Sequence, residues 1–226
     1  PARLRTDHHY FRVPAGGFRI GHSLLRAGRK REITGDERLL QASRCAMSGD
    51  TTSVTVGLIQ MAMSADRSEN LASAEQLIIQ AAQRGAQIVC LPELFLTPYF
   101  CQVEDPTMFD LAEPVPGPTT DALGRLAGRL GVVIVAPLFE RRAKGVYHNS
   151  AAVLQADGLL AGVYRKMHIP HDPAYYEKYY FAPGDTGFLV VPTRYCRLGG
   201  VVCWGQGFSE AGRGGALGGA AVYFFP

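Results

Sequence analysis

Residues 87–95 read QIVCLPELF, a short apolar run that stops at a proline and is followed at once by a carboxylate. An apolar run of this length, bounded by a residue that cannot donate to a ladder of backbone hydrogen bonds, is typical of a buried β-strand. The stretch therefore predicts a strand over 87–91, with the side chain of Glu93 just beyond its end.

The segment before this strand predicts another strand and a helix. Residues 54–60 (VTVGLIQ) have the same apolar character. Between Ser68 and Arg84 the apolar residues recur every three and four positions, which is the spacing of an amphipathic helix. Gly85 follows at the position where a left-handed C-terminal cap is expected. A strand and a helix thus precede the strand at 87–91.

The segment after it predicts a loop, a helix and a strand. The Pro-rich run at 113–118 (EPVPGP) is expected to be a loop. A helix is expected to start at a cap on Thr120 or Asp121 and to end at Gly131, followed by an apolar strand over 132–137.

The second half of the chain predicts a hairpin and two further strands. Residues 150–154 and 159–164 flank an Asp-Gly turn, which indicates a β-hairpin. Apolar runs at 197–203 and 220–225 are the remaining strand candidates. Strands that alternate with helices and then form a hairpin favour an α/β layered fold.

The composition is that of a globular protein. The chain has 226 residues, of which 47% are hydrophobic, so it is long enough for one sizeable domain. No apolar stretch is long enough to cross a bilayer, and we expect no membrane association. The five cysteines are odd in number and never form C-x-x-C, which disfavours a disulfide framework or a zinc site. A reducing compartment, the cytoplasm, is therefore expected.

The excess of positive over negative charge lies entirely in the first fifty residues. They carry ten Arg and Lys against five Asp and Glu, whereas the rest of the chain carries thirteen against fifteen. A basic surface for nucleic acid on the main domain is therefore not indicated. Residues 1–52, with the cluster RAGRKRE at 26–32, are predicted to be a basic, poorly ordered extension. Met47 resembles an ordinary start, and residues 53–226 are predicted to be the domain.

Three chemically active side chains each follow a predicted strand: Glu93, Lys166 in YRKMHIP and Cys203 in VVCW. Catalytic groups in α/β proteins collect at such strand ends. Taken singly, each residue also has an ordinary explanation, because cysteine is among the most buried residue types and a strand-end lysine or glutamate is commonly solvated. Their joint placement favours a catalytic site.

The remaining motifs give weaker indications of function. His168 and His171 are close in sequence, but no third ligand lies near them, so packing in a loop is the preferred interpretation and no metal is expected. No G-x-S-x-G elbow, Walker loop or H-E-x-x-H is present. A group of tyrosines could line a pocket or pack in a core: Tyr175, Tyr176, Tyr179 and Tyr180.

The order of the motifs resembles the nitrilase or carbon–nitrogen hydrolase superfamily. The motifs are LPELF, NS followed by DG, YRKMHIP, GDTGF and CW. Within that superfamily, residues 164–188 are similar to those of the N-carbamoylputrescine amidases. The resemblance implies a nitrilase-like four-layer αββα sandwich. Because the family's final strands are missing after Pro226, the sandwich is expected to be truncated at the C-terminus.

The resemblance also implies a catalytic site. The family's Glu–Lys–Cys triad falls on Glu93, Lys166 and Cys203, its additional glutamate falls on Glu177, and Trp204 is placed at the substrate. A free cysteine, with a pKa of about 8.5, needs a base or a nearby cation to act as a nucleophile at neutral pH. In this assignment Glu93 is the base and Lys166 stabilises the thiolate and the oxyanion. No metal or organic cofactor is implied.

The implied activity is hydrolysis of the carbamoyl C–N bond of N-carbamoylputrescine to putrescine, CO2 and ammonia, with a small ureido or amide molecule as the partner. Another amidase of the superfamily, similar to a ureidopropionase or an ω-amidase, is the alternative. A homo-oligomer is expected if the domain is complete. The sequence departs from the family pattern CWDQWxPEAAR at Gly205, Gly207 and Ser209. An inactive, incomplete chain is therefore a second alternative.

Overall fold

This computed structural model describes the backbone of residues 9–14 and all of residues 53–226. Most of the predicted basic extension, including the cluster at 26–32 and Met47, lies outside the described residues. Strand β1 (His9–Pro14) pairs antiparallel with β2 (Ser53–Leu58) at the edge of a sheet. The sequence prediction placed all of residues 1–52 outside the domain. The structure differs for this strand, because its backbone hydrogen-bonds to β2.

The larger sheet has six strands in the order β1-β2-β3-β4-β5-β6. Strands β2, β3 and β4 are parallel, and β4, β5 and β6 form an antiparallel meander. The bounds of the last four are Ile88–Cys90 for β3, Val133–Ala143 for β4, Val146–Leu154 for β5 and Leu160–Arg165 for β6. The predicted hairpin is therefore present as β5 and β6.

The smaller sheet has three strands in the order β7-β8-β9. Strands β7 and β8 are antiparallel, and β8 and β9 are parallel. Their bounds are Leu189–Pro192 for β7, Arg197–Gly200 for β8 and Val222–Phe224 for β9. Strand β8 is shorter than the predicted run 197–203, since Cys203 begins a separate 3₁₀ turn.

Two helices cover one face of the larger sheet: α1 (Arg67–Gln83) and α2 (Pro118–Leu130). Gly85 has a φ of 90° and Gly131 a φ of 67°, so both take the left-handed conformation expected after a helix. The predicted start of α2 at Thr120 or Asp121 is too late. The helix begins at Pro118, because the Thr120 hydroxyl accepts a hydrogen bond from the Gly117 N–H at 2.7 Å and so belongs to the first turn.

Alternate residues of the larger sheet face two different cores. Val89 packs towards α1 and α2, whereas Ile88 and Cys90 pack towards the smaller sheet. The same alternation holds in β4, where Ile134 faces the helices and Val135 faces the second sheet. The two sheets therefore stack with a shared apolar layer between them.

Helix α4 (Ser209–Leu217) supplies the fourth layer, on the outer side of the smaller sheet. Helix α4 contains three glycines, and glycine inside a helix costs about 1 kcal/mol relative to alanine. The structure explains two of them by close packing. A Cβ on Gly214 would lie 2.7 Å from the ring of Phe188, and one on Gly215 would overlap the ring of Tyr223.

The predicted α/β sandwich of four layers is confirmed. Helices α1 and α2, the larger sheet, the smaller sheet and α4 follow one another. Within the described part of the chain, no helix is both long enough and apolar enough to span a membrane.

Candidate active site

Glu93 lies three residues beyond the end of β3, at the edge of the larger sheet. Leu94, the next residue, has a φ of 51°, which is uncommon for a residue with a side chain. The carbonyl of Leu94 accepts a hydrogen bond from the Thr97 N–H at 3.1 Å, so the chain turns sharply directly after Glu93. Glu93 thus lies between the end of β3 and a hydrogen-bonded turn.

Lys166 directly follows β6, which two strands, β4 and β5, separate from β3 in the same sheet. Its side chain is completely buried. The ammonium group donates one hydrogen bond to Oε1 of Glu93 at 3.0 Å and another to Oε2 of Glu177 at 2.7 Å. Burial alone would lower the pKa of Lys166, but the two carboxylates outweigh burial and the net shift of its pKa is upward. Lys166 is therefore a cation held between two anions.

Glu177 opens the short helix α3 (Glu177–Tyr180) and is 1% exposed. Its Oε1 accepts a hydrogen bond from the Tyr99 hydroxyl at 2.8 Å, and its Oε2 accepts the bond from Lys166. Burial raises the pKa of Glu177, while Lys166 opposes that shift. Both oxygens of this carboxylate are therefore occupied by donors.

Cys203 lies at the start of the 3₁₀ turn Cys203–Gly207, three residues after β8. Its φ is 46°, and its N–H donates to the carbonyl of Pro226 at 2.8 Å. Burial raises the pKa of the thiol to about 11, with a further contribution from the neighbouring Glu93 that outweighs the opposing effect of Lys166. At neutral pH the sulfur is therefore protonated and needs a base before it can attack.

The four groups suit a proton transfer between sulfur and carboxylate. With Glu93 and Glu177 ionised and Lys166 protonated, the cluster has a net charge of −1. A thiolate formed by loss of the proton to water would make this −2 in a buried place. Transfer of the proton from Cys203 to Glu93 leaves the net charge unchanged.

Two residues at this cluster were not predicted. Tyr99 bonds to Glu177, and the amide nitrogen of Asn149 donates to Oε1 of Glu93 at 2.7 Å. Asn149 lies in the NS motif that contributed to the family resemblance, but nothing in the sequence indicated a role for it. Tyr99 had no sequence signal at all, because its partner is 78 residues away in the chain.

Trp204 directly follows the nucleophile candidate, and its side chain is 48% exposed. The backbone N–H of Trp204 has no acceptor among residues 53–226. The next backbone N–H, that of Gly205, donates to the carbonyl of Val202 at 3.0 Å. Two of the three departures from the family pattern, Gly205 and Gly207, differ in their surroundings. A Cβ on Gly205 would meet Val201 at 3.2 Å, but a Cβ on Gly207 would have nothing within 4 Å.

The tyrosines of the run 175–180 do not share one environment. Tyr175 is exposed, whereas the hydroxyl of Tyr180 donates to Val103 at 2.6 Å and accepts from the Asp105 N–H, which is a packing role. The histidines also have packing partners. His168 stacks on Phe208 with the ring centroids 3.6 Å apart, and His171 meets Tyr176 edge-on. Among the described residues, no group of three His, Cys, Asp or Glu side chains could hold a metal ion.

Comparison with known proteins identifies relatives of this chain. It is 49% identical over 174 residues to an N-carbamoylputrescine amidase of Solanum lycopersicum, a match that covers 76% of this chain and 58% of the tomato protein. It is 42% identical to a citrullinase of Francisella tularensis, with 76% of this chain and 60% of that protein covered. The chain therefore spans less than two thirds of these curated relatives.

A solved structure agrees with the sequence relatives. The fold is similar to that of a carbon-nitrogen hydrolase from Helicobacter pylori, with a TM-score of 0.73, 44% sequence identity, and coverage of 76% of this chain and 59% of that one. The characteristic pattern of the carbon-nitrogen hydrolase family matches residues 55–226, which include the whole cluster around Lys166. The chain belongs to the carbon-nitrogen hydrolase family.

Proposed function

We propose that this protein hydrolyses the carbamoyl C–N bond of a ureido compound, N-carbamoylputrescine being the first candidate. The observation that carries the proposal is the buried Lys166 ammonium, held between Glu93 and Glu177 next to the Cys203 thiol. The relatives named N-carbamoylputrescine amidase and citrullinase support a ureido group as the part of the substrate that reacts.

The first half of the proposed reaction forms a covalent intermediate. Glu93 takes the proton of the Cys203 thiol, and the sulfur attacks the ureido carbonyl carbon. Glu93 then gives the proton to the terminal NH2 as the bond from carbon to that nitrogen breaks. Ammonia leaves, and the rest of the substrate stays attached to Cys203 as a carbamoyl thioester.

The second half returns the enzyme to its starting state. Glu93 takes a proton from water, the hydroxide attacks the thioester carbon, and the carbon–sulfur bond breaks with return of the proton to Cys203. The released carbamic acid falls apart into CO2 and the amine, which is putrescine for the first candidate. This product would place the enzyme in polyamine synthesis, in the cytoplasm, where the thiol stays reduced.

Two donors are available for the negative oxygen that forms in each attack. Lys166 supplies a positive charge that is already desolvated, and its ammonium needs no reorganisation to act. The second donor is the backbone N–H of Trp204, which directly follows the nucleophile and has no acceptor among residues 53–226. Glu177 holds Lys166 in place through the bond of 2.7 Å.

The test is ammonia release from N-carbamoylputrescine by the purified 226-residue chain, beside Cys203→Ala and Glu93→Gln. We expect release by the unchanged chain, none with Cys203→Ala, and a loss of about 10²- to 10⁴-fold in kcat/KM with Glu93→Gln, the usual contribution of a general base. Citrulline and a simple linear amide serve as competing substrates. Equal release by Cys203→Ala would exclude the thiol mechanism.

Gly205 and Gly207 favour one alternative outcome, an inactive chain of the same family. A chain that unfolds cooperatively but releases no ammonia from any of the three substrates would support that alternative. Preference for the linear amide would instead support an ω-amidase-like activity, as in the Xenopus laevis relative of that name, which is 33% identical.

A further inference from the structure

Asn149 is a buried amide whose side chain makes one hydrogen bond among residues 53–226, to the proposed base. It lies in β5, is completely buried, and its backbone carbonyl accepts from the Lys166 N–H at 2.8 Å. Its Nδ2 donates to Oε1 of Glu93 at 2.7 Å. Its Oδ1 has no hydrogen-bond partner among the described residues. The amide side chain therefore contributes a bond to Glu93 and no bond to the surrounding framework.

The two oxygens of Glu93 have different surroundings. Oε1 accepts from Asn149 at 2.7 Å and from Lys166 at 3.0 Å. Oε2 has no nitrogen or oxygen donor among residues 53–226. A carboxylate oxygen that already accepts two bonds, one of them from a cation, is a weaker base than its free neighbour. Oε2 is thus the oxygen available to the thiol.

We propose that Asn149 is a positioning residue that makes Oε2 of Glu93 the basic oxygen for Cys203. It does so by holding Oε1 together with Lys166, so that two donors keep the carboxylate from rotating. Without that bond both oxygens of Glu93 could turn towards the Lys166 ammonium, and neither would face the sulfur. This inference rests on the proposed role of Glu93 as the base.

The orientation of the Asn149 amide follows from the same contact. If Oδ1 rather than Nδ2 faced Glu93, two acceptors would meet at 2.7 Å without a proton between them. The sheet holds the backbone of Asn149, which pairs with Phe139 in β4. The donor is therefore presented from a rigid element, as a positioning role requires.

The experiment measures alkylation of Cys203 by iodoacetamide between pH 5 and pH 9 in the 226-residue chain, followed by mass spectrometry of the Cys203 peptide. In this step the carbon–sulfur bond forms, the carbon–iodine bond breaks with loss of iodide, and the thiol proton goes to Glu93. The reaction needs no substrate, so it does not depend on which amide the enzyme takes. The variants are Asn149→Leu and Asn149→Asp, with Ser150→Ala as the control.

Ser150 is a matched control because it is the next residue of β5 and is also completely buried. Its hydroxyl donates to Glu140 at 2.6 Å, so Ser150→Ala removes a buried hydrogen bond that does not involve Glu93. Several ionisable groups surround Glu93 and are present in all variants: Lys166, Glu177, Cys203, Cys101 and Tyr99. Dividing the unchanged rate by the variant rate removes the part of their pH dependence that the variants share.

Asn149→Leu is expected to slow alkylation about tenfold at every pH, the usual effect of losing a hydrogen bond to a charged group. Asn149→Asp is expected to alkylate at nearly the unchanged rate at the acid end, where its protonated carboxyl can donate to Oε1. It should fall to the rate of the leucine variant once that carboxyl ionises. Ser150→Ala should leave the rate unchanged.

An unchanged rate in a folded Asn149→Leu variant would overturn the inference. The inference would also be overturned if Ser150→Ala slowed alkylation as much as Asn149→Leu does. The same holds if the rate of Asn149→Asp, relative to the unchanged chain, did not vary with pH. In either case a general loosening of β5 would explain the data. Asn149→Asp carries the test alone if the leucine variant does not fold. Glu93→Gln separates the two proposals: if it slows alkylation and the Asn149 variants do not, only the inference fails; if it has no effect, the proposed base fails.

Discussion

The thiol of Cys203 is less acidic than a free cysteine even though the Lys166 ammonium is near. Burial and the Glu93 carboxylate together raise its pKa to about 11, and the lysine offsets only part of this. A nearby cation is therefore insufficient to form a resident thiolate here. The physical consequence is that attack must be coupled to proton transfer, which gives Glu93 its proposed role.

Tyr99 supplies the outermost hydrogen bond of the cluster. Its hydroxyl donates to Oε1 of Glu177 at 2.8 Å, and Glu177 in turn holds Lys166. Burial and the adjacent Glu177 raise the pKa of Tyr99, so its hydroxyl is a hydrogen-bond donor at neutral pH. Tyr99 thus acts on the reacting atoms only through Glu177 and Lys166.

Tyr99→Phe is expected to lower kcat/KM for ammonia release about tenfold, because a hydrogen bond to a charged group is lost. Most of the loss should be in kcat, since Tyr99 supports the charge of Lys166 in the transition state. The control is Tyr180→Phe, which removes bonds to Val103 and Asp105 and should lower the melting temperature without changing kcat/KM. An unchanged kcat/KM in Tyr99→Phe would show that Glu177 needs no such support.

Strands β4, β5 and β6 are tied together by a buried carboxylate as well as by their backbones. Glu140 in β4 is 1% exposed and accepts from Ser150 in β5 at 2.6 Å and from Nε of Arg165 in β6 at 2.8 Å. Burial would raise the pKa of Glu140, but the bonds from Arg165 and Ser150 outweigh it and the pKa is lowered. The Glu140 carboxylate therefore joins side chains from three neighbouring strands.

Because its pKa is lowered in the folded state, the ionised Glu140 carboxylate stabilises the folded protein. Its contribution is present above the unfolded value of 4.5 and is lost as the pH falls through the folded value. In Arg165→Met the buried carboxylate loses its cation, so its pKa should rise. The free energy of unfolding at pH 7 should then fall by about 3 kcal/mol. The midpoint of acid unfolding, followed by circular dichroism, should move to higher pH.

Arg142→Met is the control for that measurement. Arg142 pairs with Asp185 where both side chains are more than 40% exposed, so its loss should change stability by no more than about 0.5 kcal/mol. Similar shifts of the acid midpoint in both variants would mean that net charge, not the buried carboxylate, governs acid unfolding.

The two sheets bring together Cys203, the proposed nucleophile, and Glu93, the proposed base. Glu93 and Lys166 come from the larger sheet, whereas Cys203 follows β8 of the smaller one. The apolar layer between the sheets, which includes Leu198 and Val135, therefore sets the separation of the sulfur from Glu93. The layer under the helices, which includes Leu126, contains no residue of the smaller sheet.

Leu198→Ala and Leu126→Ala form a matched pair, because both leucines are 1% exposed. Each should lower the free energy of unfolding by about 2–5 kcal/mol. Only Leu198→Ala should also lower kcat/KM well below the unchanged value, since a shift of about 1 Å between reacting groups can cost 10²-fold. Equal kcat/KM in the two variants would contradict the view that the inter-sheet layer aligns the site.

Local sequence was sufficient to predict most of the helices and strands. The spacing of apolar residues predicted α1, and Gly85 marked its end, because both depend on neighbours within one or two turns. The N-terminus of α2 was misplaced, since Thr120 caps from inside the first turn. Strand β1 was missed because its pairing with β2 joins segments about forty residues apart. Nothing in the sequence predicted that close packing requires Gly215.

By itself the sequence determined an α/β layered fold and the strand ends that carry Glu93, Lys166 and Cys203, because apolar periodicity is a property of short segments. The four-layer sandwich and the selection of Glu177 came from the family resemblance that the motifs carry. The tertiary structure determined that Tyr99 and Asn149 complete the hydrogen bonds of the two carboxylates, and that one oxygen of Glu93 is left open. Those contacts join residues 56 and 78 positions apart, so they exist only once the sheets and the loop before α3 are packed.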